Sequence, residues 1–231
     1  MEAKNTFFEK YLTPIAVVLG ALIIALALAY GRGEVPQQGQ QGTGAVDIKE
    51  VATENAPFVG ERNAPVTIAV WSDYQCPFCK RFELDTLAQV YQEYVTKGQV
   101  KIVFKDFQFL GPDSQNAALV GRAVWDAYPD QYYAWHTAVM TAQGAVEGSG
   151  FGGIEGLLEL TGAVEGIDAA RVQSLLDANK ARYEEAIAAD RAEGSKFGIN
   201  GTPGTIIGTT LIAGARSFAD IKPLIDAELG S

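Results

Sequence analysis

The spacing of apolar residues changes several times along the chain, and each change predicts an element. Residues 14–30, PIAVVLGALIIALALAY, are apolar on every side and carry no charge. Residues 31–56 hold little to bury and are rich in Gly and Gln, as in Gln37-Gln38-Gly39-Gln40-Gln41-Gly42. Then Val66-Thr67-Ile68-Ala69-Val70-Trp71 forms a short apolar run suited to a buried strand. Over residues 77–96 the period lengthens: Phe82, Leu84, Leu87, Val90, Tyr91 and Tyr94 mark a helix, with Gly98 as its stop. Residues 99–105 alternate and are β-branched, so they read as a second strand. Strand, helix and strand together predict a parallel pair with a right-handed crossover.

Helical spacing continues over residues 114–127 and 130–143. A Gly-rich loop at 144–156 follows, then a short helix at 157–161 and a long one at 168–197 with Asp168 as its N-cap. Residues 205–208 and 210–213 read as two strands of a hairpin turning at Gly208-Thr209. Ser217-Phe218-Ala219-Asp220 opens a last helix, ending near residue 229. The order predicts an α/β fold interrupted by a helical block at about residues 109–197.

The N-terminal run bears on location. Seventeen uncharged residues meet the lower end of the roughly 17–25 needed to span a bilayer. Lys4, Lys10 and the α-amino group precede the run and only Arg32 follows closely, so residues 1–13 are expected in the cytoplasm and everything after residue 30 outside it. Ala27-Leu28-Ala29 would also suit a signal-peptidase site, but the apolar stretch is long for a signal and favours an uncleaved anchor. A buried core helix would show a polar face, which this stretch lacks. Residues 31–56 then read as a flexible tether. Residues 57–231 are long enough for one domain with its own core. A net charge of −10 with no basic block excludes nucleic acid and anionic lipid as favoured partners.

Cysteine narrows the chemistry further. The chain has two, both in Cys76-Pro77-Phe78-Cys79, at the predicted strand-to-helix junction. There the first thiol meets unpaired N–H groups and the positive end of a helix dipole, which lower a thiol pKa and raise its thiolate fraction. The second thiol lies one turn later, within reach of a small disulfide ring. Pro77 suits the first helical turn, where its missing N–H would have been unpaired anyway. A structural zinc site needs four ligands, and two cysteines with the single His136 make at most three, so only a dimer sharing thiolates could build one. A purely structural disulfide gains little from so short a loop. Redox exchange is the favoured reading, with no metal and no organic cofactor beyond the disulfide itself.

Three motifs carry a resemblance: Trp71-Ser72-Asp73-Tyr74-Gln75-Cys76-Pro77-Phe78-Cys79, the stretch Tyr133-Ala134-Trp135-His136, and Gly198-Ile199-Asn200-Gly201-Thr202-Pro203-Gly204. With them, residues 58–229 resemble the DsbA-like bacterial disulfide oxidoreductases, and the predicted anchor and tether are similar to those of its membrane-tethered members. The resemblance implies a thioredoxin-like fold with an inserted helical domain. It implies Cys76 as nucleophile, Cys79 as resolving thiol, and Thr202-Pro203 as a cis-proline loop beside them. Related enzymes often carry His where Phe78 stands, and Phe78 cannot assist a thiolate in that way. Glu83, four residues after Cys79 and on its helix face, matches the position of a proton-relay carboxylate in that family. Lys101 on the next strand is the candidate to neutralise it, and Val70 stands where related proteins carry an acid. An ordinary solvated helix charge remains the competing reading of Glu83.

Asp73 reads as a turn former, and His136, in an aromatic helix far along the chain, as a packing residue rather than a catalytic one. Asn200-Gly201-Thr202 fits a glycosylation sequon by accident, since a glycan there would block the pair. The G-x-G-x-x-G at 148–153 follows no strand and is not a dinucleotide site. The expected function is an exported, membrane-anchored oxidase that passes disulfides to unfolded secreted or cell-envelope proteins and is recharged by a membrane redox partner. An isomerase or reductase of the same fold is the alternative, and a non-enzymatic holdase is a third reading.

Overall fold

The computed structural model describes residues 46–144 and 150–230. The segments expected as cytoplasmic arm and anchor, and residues 31–45 of the expected tether, lie outside the described residues. Among the described residues no helix is long and apolar enough to cross a membrane.

Five strands form one sheet in the order β1-β3-β2-β4-β5. They are β1 (Phe58–Val59), β2 (Val66–Ser72), β3 (Val100–Asp106), β4 (Gly204–Ile207) and β5 (Thr210–Ala213). The central pair β2 and β3 runs parallel, from Val66 opposite Val100 to Ser72 opposite Asp106. β4 lies antiparallel to β2, from Ile68 opposite Ile207 to Trp71 opposite Gly204, and β5 returns beside it. β2 is apolar from Ile68 to Trp71 because both its faces are covered there. Alternation sends Val66, Ile68 and Val70 into the larger core and Ala69 and Trp71 into a second one with Phe107, Phe197 and Ile206.

The helix after β2 is broken where the sequence predicts one run. α1 (Pro77–Arg81) passes into a π-helical segment, Phe82–Leu87, before α2 (Ala88–Glu93). Gly98 ends the unit in the left-handed conformation, φ 68°, as its type allows. The helical block holds α3 (Pro112–Ala127), α4 (Tyr132–Ala142), α5 (Gly153–Gly162) and α6 (Ala169–Lys196). α5 begins earlier than its apolar residues suggest, because Asp113 accepts N–H groups of Phe151 and Gly153 and holds the helix entrance. Asp168 caps α6 through the N–H of Ala170, and a Ser217–Asp220 capping box opens α7 (Phe218–Leu229).

The tether boundary needs correction. Val46, Val51 and Ala56 are buried, the N–H of Ile48 bonds to Gly208 O at 2.8 Å, and Ala52 N–H donates to Glu193. Residues 46–56 therefore belong to the folded domain. Their few apolar side chains are spaced to dock on the second core, a placement no local periodicity signals.

α6 is fastened to the sheet by buried charge. Lys105 Nζ on β3 lies 2.5 Å from Asp190 Oδ1 and 2.9 Å from Glu193 Oε2. Arg122 on α3 pairs with Asp106 at 2.6 Å and also with Asp190. Beside this network the Trp71 indole donates to Asp190 O at 2.9 Å. Gly194 permits that approach, since a Cβ there would stand 2.8 Å from the Trp71 ring.

Candidate active site

β2 delivers the chain to the site through a turn built on Asp73. This aspartate is fully buried and accepts N–H groups from Gln75 at 2.8 Å, Phe109 at 2.8 Å and Leu110 at 3.1 Å, together with the Ser114 hydroxyl. It shapes the turn, as its type suggests, and also binds the loop after β3 to the approach to Cys76. That wider role has no signal in the sequence, because its partners come from distant residues.

Cys76 is the N-cap of α1, with extended backbone, and Pro77 follows at the first helical position. Its side chain is only 4 % exposed, and Sγ donates to Thr202 O at 3.5 Å. The Cys76 thiol is lowered to about 6, first by the hydrogen bond from the Cys79 thiol, then by the neighbouring Thr202 side chain and the N–H groups of Cys79 and Phe78. Burial alone would raise it. The Cys79 thiol goes the other way: burial pushes it well up, and the neighbouring Cys76 adds to the rise. One sulfur is thus a ready thiolate and leaving group, while the other stays protonated until a base takes its proton.

The Thr202–Pro203 peptide bond is cis and leads directly into β4. Because β4 pairs with β2, the Thr202 carbonyl is carried to Cys76. The carbonyl of Cys76 is held by Gln143 Nε2 at 3.2 Å, and Lys80 Nζ closes the end of α4 by donating to the carbonyls of Thr141 at 2.9 Å and Gln143 at 3.1 Å. Phe78 projects outward, 53 % exposed, with the Arg81 guanidinium 5.2 Å from its ring centre. Phe109, held by Asp73, is the other large apolar side chain exposed among the described residues.

Glu83 is not a solvated helix charge. It is 2 % exposed, in the π-helical segment, and accepts the Thr137 hydroxyl at 3.1 Å. Its other oxygen faces His136 Nδ1 at 3.5 Å. Lys101 is not brought to it: alternation along β3 turns Phe104 toward His136 and Lys101 to the opposite face. There its ammonium donates to Arg62 O at 3.3 Å and lies 5.9 Å from the Phe58 ring centre. A proton relay through Lys101 is therefore discarded. Val70, Cys79, Glu83 and His136 line one small cavity with Met140 and Pro203. Among the described residues, no cluster of three or more His, Cys, Asp or Glu side chains is placed to hold a metal.

Residues 52–227 match the family described as Thioredoxin. The chain belongs to the thioredoxin family. Within the family it is DsbA-like. It is 29 % identical over 191 residues to disulfide bond formation protein D of Bacillus subtilis, covering 82 % of this chain and 84 % of that protein. The crystal structure of oxidised BdbD from Bacillus subtilis superposes with a TM-score of 0.72 at 27 % identity, over 81 % of this chain and 99 % of that one. The thiol–disulfide exchange protein α-DsbA2 of Wolbachia pipientis gives 0.66 at 26 % identity, over 75 % and 87 %. This thioredoxin-family chain is a thiol–disulfide oxidoreductase.

Proposed function

We propose that this thioredoxin-family enzyme is an oxidase acting outside the cytoplasm, held to the membrane through residues 14–30. The observation that carries the oxidase reading is the placement of the two thiols: Cys76 caps the N-terminus of α1 with its thiol lowered to about 6, while Cys79 is buried behind it and pushed up. A stabilised Cys76 thiolate favours the reduced enzyme, and an enzyme stable when reduced is a strong oxidant.

In the proposed cycle a substrate thiolate attacks Cys76 Sγ of the Cys76–Cys79 disulfide. The S–S bond breaks, Cys79 leaves as thiolate and takes up a proton, and a mixed disulfide joins Cys76 to the substrate. The substrate's second thiolate then attacks its own sulfur in that bond. Cys76 departs as thiolate, the substrate gains a disulfide, and the enzyme holds the two electrons. A membrane redox partner removes them. The exposed Phe78 ring and the backbone at Thr202 suit unfolded or partly folded chains bearing cysteines, which offer apolar side chains and extended backbone.

Equilibration of the full chain in glutathione buffers, followed by fluorescence of the tryptophans, tests the direction. A potential near about −120 mV is expected, and one near about −270 mV would identify a reductant instead. A Cys79→Ala variant expressed in an exporting bacterium should accumulate mixed disulfides through Cys76. Labelling cysteines from outside the intact cell with an impermeant thiol reagent checks the location.

A further inference from the structure

His136 is the only histidine in the chain, and it lies 1 % exposed beside the redox pair. Neither ring nitrogen makes a hydrogen bond of ordinary length among the described residues, although buried polar groups nearly always do. The nearest opposite charge is Glu83, with Nδ1 3.5 Å from Oε2. Three aromatic rings surround the imidazole: Phe104 at 4.4 Å, Tyr74 at 5.3 Å and Tyr132 at 5.9 Å between centres. Aromatic rings packed around an imidazole tolerate positive charge on it. A histidine serving only to fill the core would be better replaced by an apolar residue of its size.

The cavity these groups share measures about 10 Å³, about the lower limit for admitting one water molecule. Cys79 enters it from α1, Glu83 from the π-helical segment, His136 from α4, and Val70 from β2. The strand therefore contributes no acid. The other polar groups around the pair and its cavity are phenols and hydroxyls: Tyr74, Tyr132 and Tyr133, all pushed up by burial first, Thr137, which donates to Glu83, and Ser72 on β2. They stay neutral near physiological pH, which leaves Glu83 and His136 as the proton-carrying groups beside Cys79.

We propose that Glu83 and His136 act as one proton store for Cys79, with His136 positioned to hold the proton. The inference rests on the oxidoreductase reading above. When the disulfide is attacked and Cys79 leaves as thiolate, the pair releases one proton to its sulfur and passes from net charge 0 to −1. When the membrane partner reoxidises the enzyme, Cys79 must attack a mixed disulfide at Cys76 as thiolate. The pair then takes the proton back, directly or through one water. Electrons move only between sulfurs, and the pair carries only the proton.

The sole imidazole makes the test direct. The full chain, prepared without a histidine tag and labelled with ¹⁵N-histidine, is followed by NMR from about pH 5 to about pH 9 in its disulfide and dithiol forms. The His136 titration should differ between the two forms, and Glu83→Gln should displace it in both. A pH response identical in the two redox states overturns the proposal.

Kinetics give a second readout. Resolution of a Cys76–glutathione mixed disulfide by Cys79 should slow by about tenfold at neutral pH in His136→Gln and in Glu83→Gln, as for one unit in the thiol pKa, and recover at high pH. The double variant should be no slower than the slower single one. Wild-type rates in a folded His136→Gln across the pH range also overturn the proposal. Should that variant fail to fold, the wild-type NMR comparison decides alone. If the wild-type chain exchanges no disulfide with glutathione at all, the oxidoreductase reading fails; exchange with an indifferent His136 sinks the proton store only.

Discussion

Cys76 ties its chemistry to its stability. Its thiol titrates at about 6 in the folded dithiol form, against an ordinary thiol value near about 8.5 in an unfolded chain. A depressed value stabilises the fold fully above the unfolded pKa and loses that effect as pH falls through the folded one. The dithiol form should therefore resist urea better at about pH 8 than at about pH 5, with the gain developing between about pH 6 and about pH 8.5. Cys79 is shifted upward and stays protonated through that window, so it does not reverse the trend. Urea midpoints of the wild type and of Cys76→Ser across pH check this, and the rise should flatten in the variant. The nucleophile is legible in the sequence because two cysteines at a strand-to-helix junction have few other uses. The place of His136 beside Cys79 and Glu83 is not, because those groups come from other elements; its aromatic helix signals only the ring packing, which it also makes.

Elements set these residues in place through a few close approaches. Glu83 lies buried in the π-helical segment, so the expectation of an unbroken helix fails, and with it the competing reading of Glu83 as a solvated charge. Asp73→Ala should remove four hydrogen bonds at one buried carboxylate and destabilise the fold by about 3 kcal/mol or more, measured by urea unfolding. The same change releases the loop carrying Phe109, so exchange with peptide thiols should slow as well. Gly194→Ala should cost about 1–3 kcal/mol, since its Cβ would press on Trp71 and push α6 off β2. Gly201→Ala, with nothing within 4 Å of the added carbon, should stay within about 0.5 kcal/mol of wild type, and thermal melts of the two variants make the comparison. The strands and long helices are legible because their periods of two and 3.6 run long enough to count. β1 is two residues long and escapes any such count.

At the scale of the whole molecule, the inserted helices and the sheet are joined by charge as well as by apolar packing. Arg122→Ala leaves Asp106 and Asp190 buried without their shared guanidinium, and should cost about 3–5 kcal/mol in denaturant unfolding. Replacement of the network by apolar side chains of matched volume should be far milder. The order of elements was open to reading from the chain, and so was the insertion; the network was not, since its charges are scattered over residues 105–193 and read singly as surface. The redox pair, however, depends little on any of those side chains. The carbonyl that meets Cys76 is delivered by backbone pairing alone, four rungs between β2 and β4 ending at Trp71 and Gly204. Substitutions along these strands can change the filling of the core and leave that distance intact, which accords with kinship to proteins that share under a third of its residues. A gained or lost residue between Gly198 and Gly204 has no such latitude, because it shifts the carbonyl by a full step. Over generations the site should tolerate spelling changes and reject changes of length.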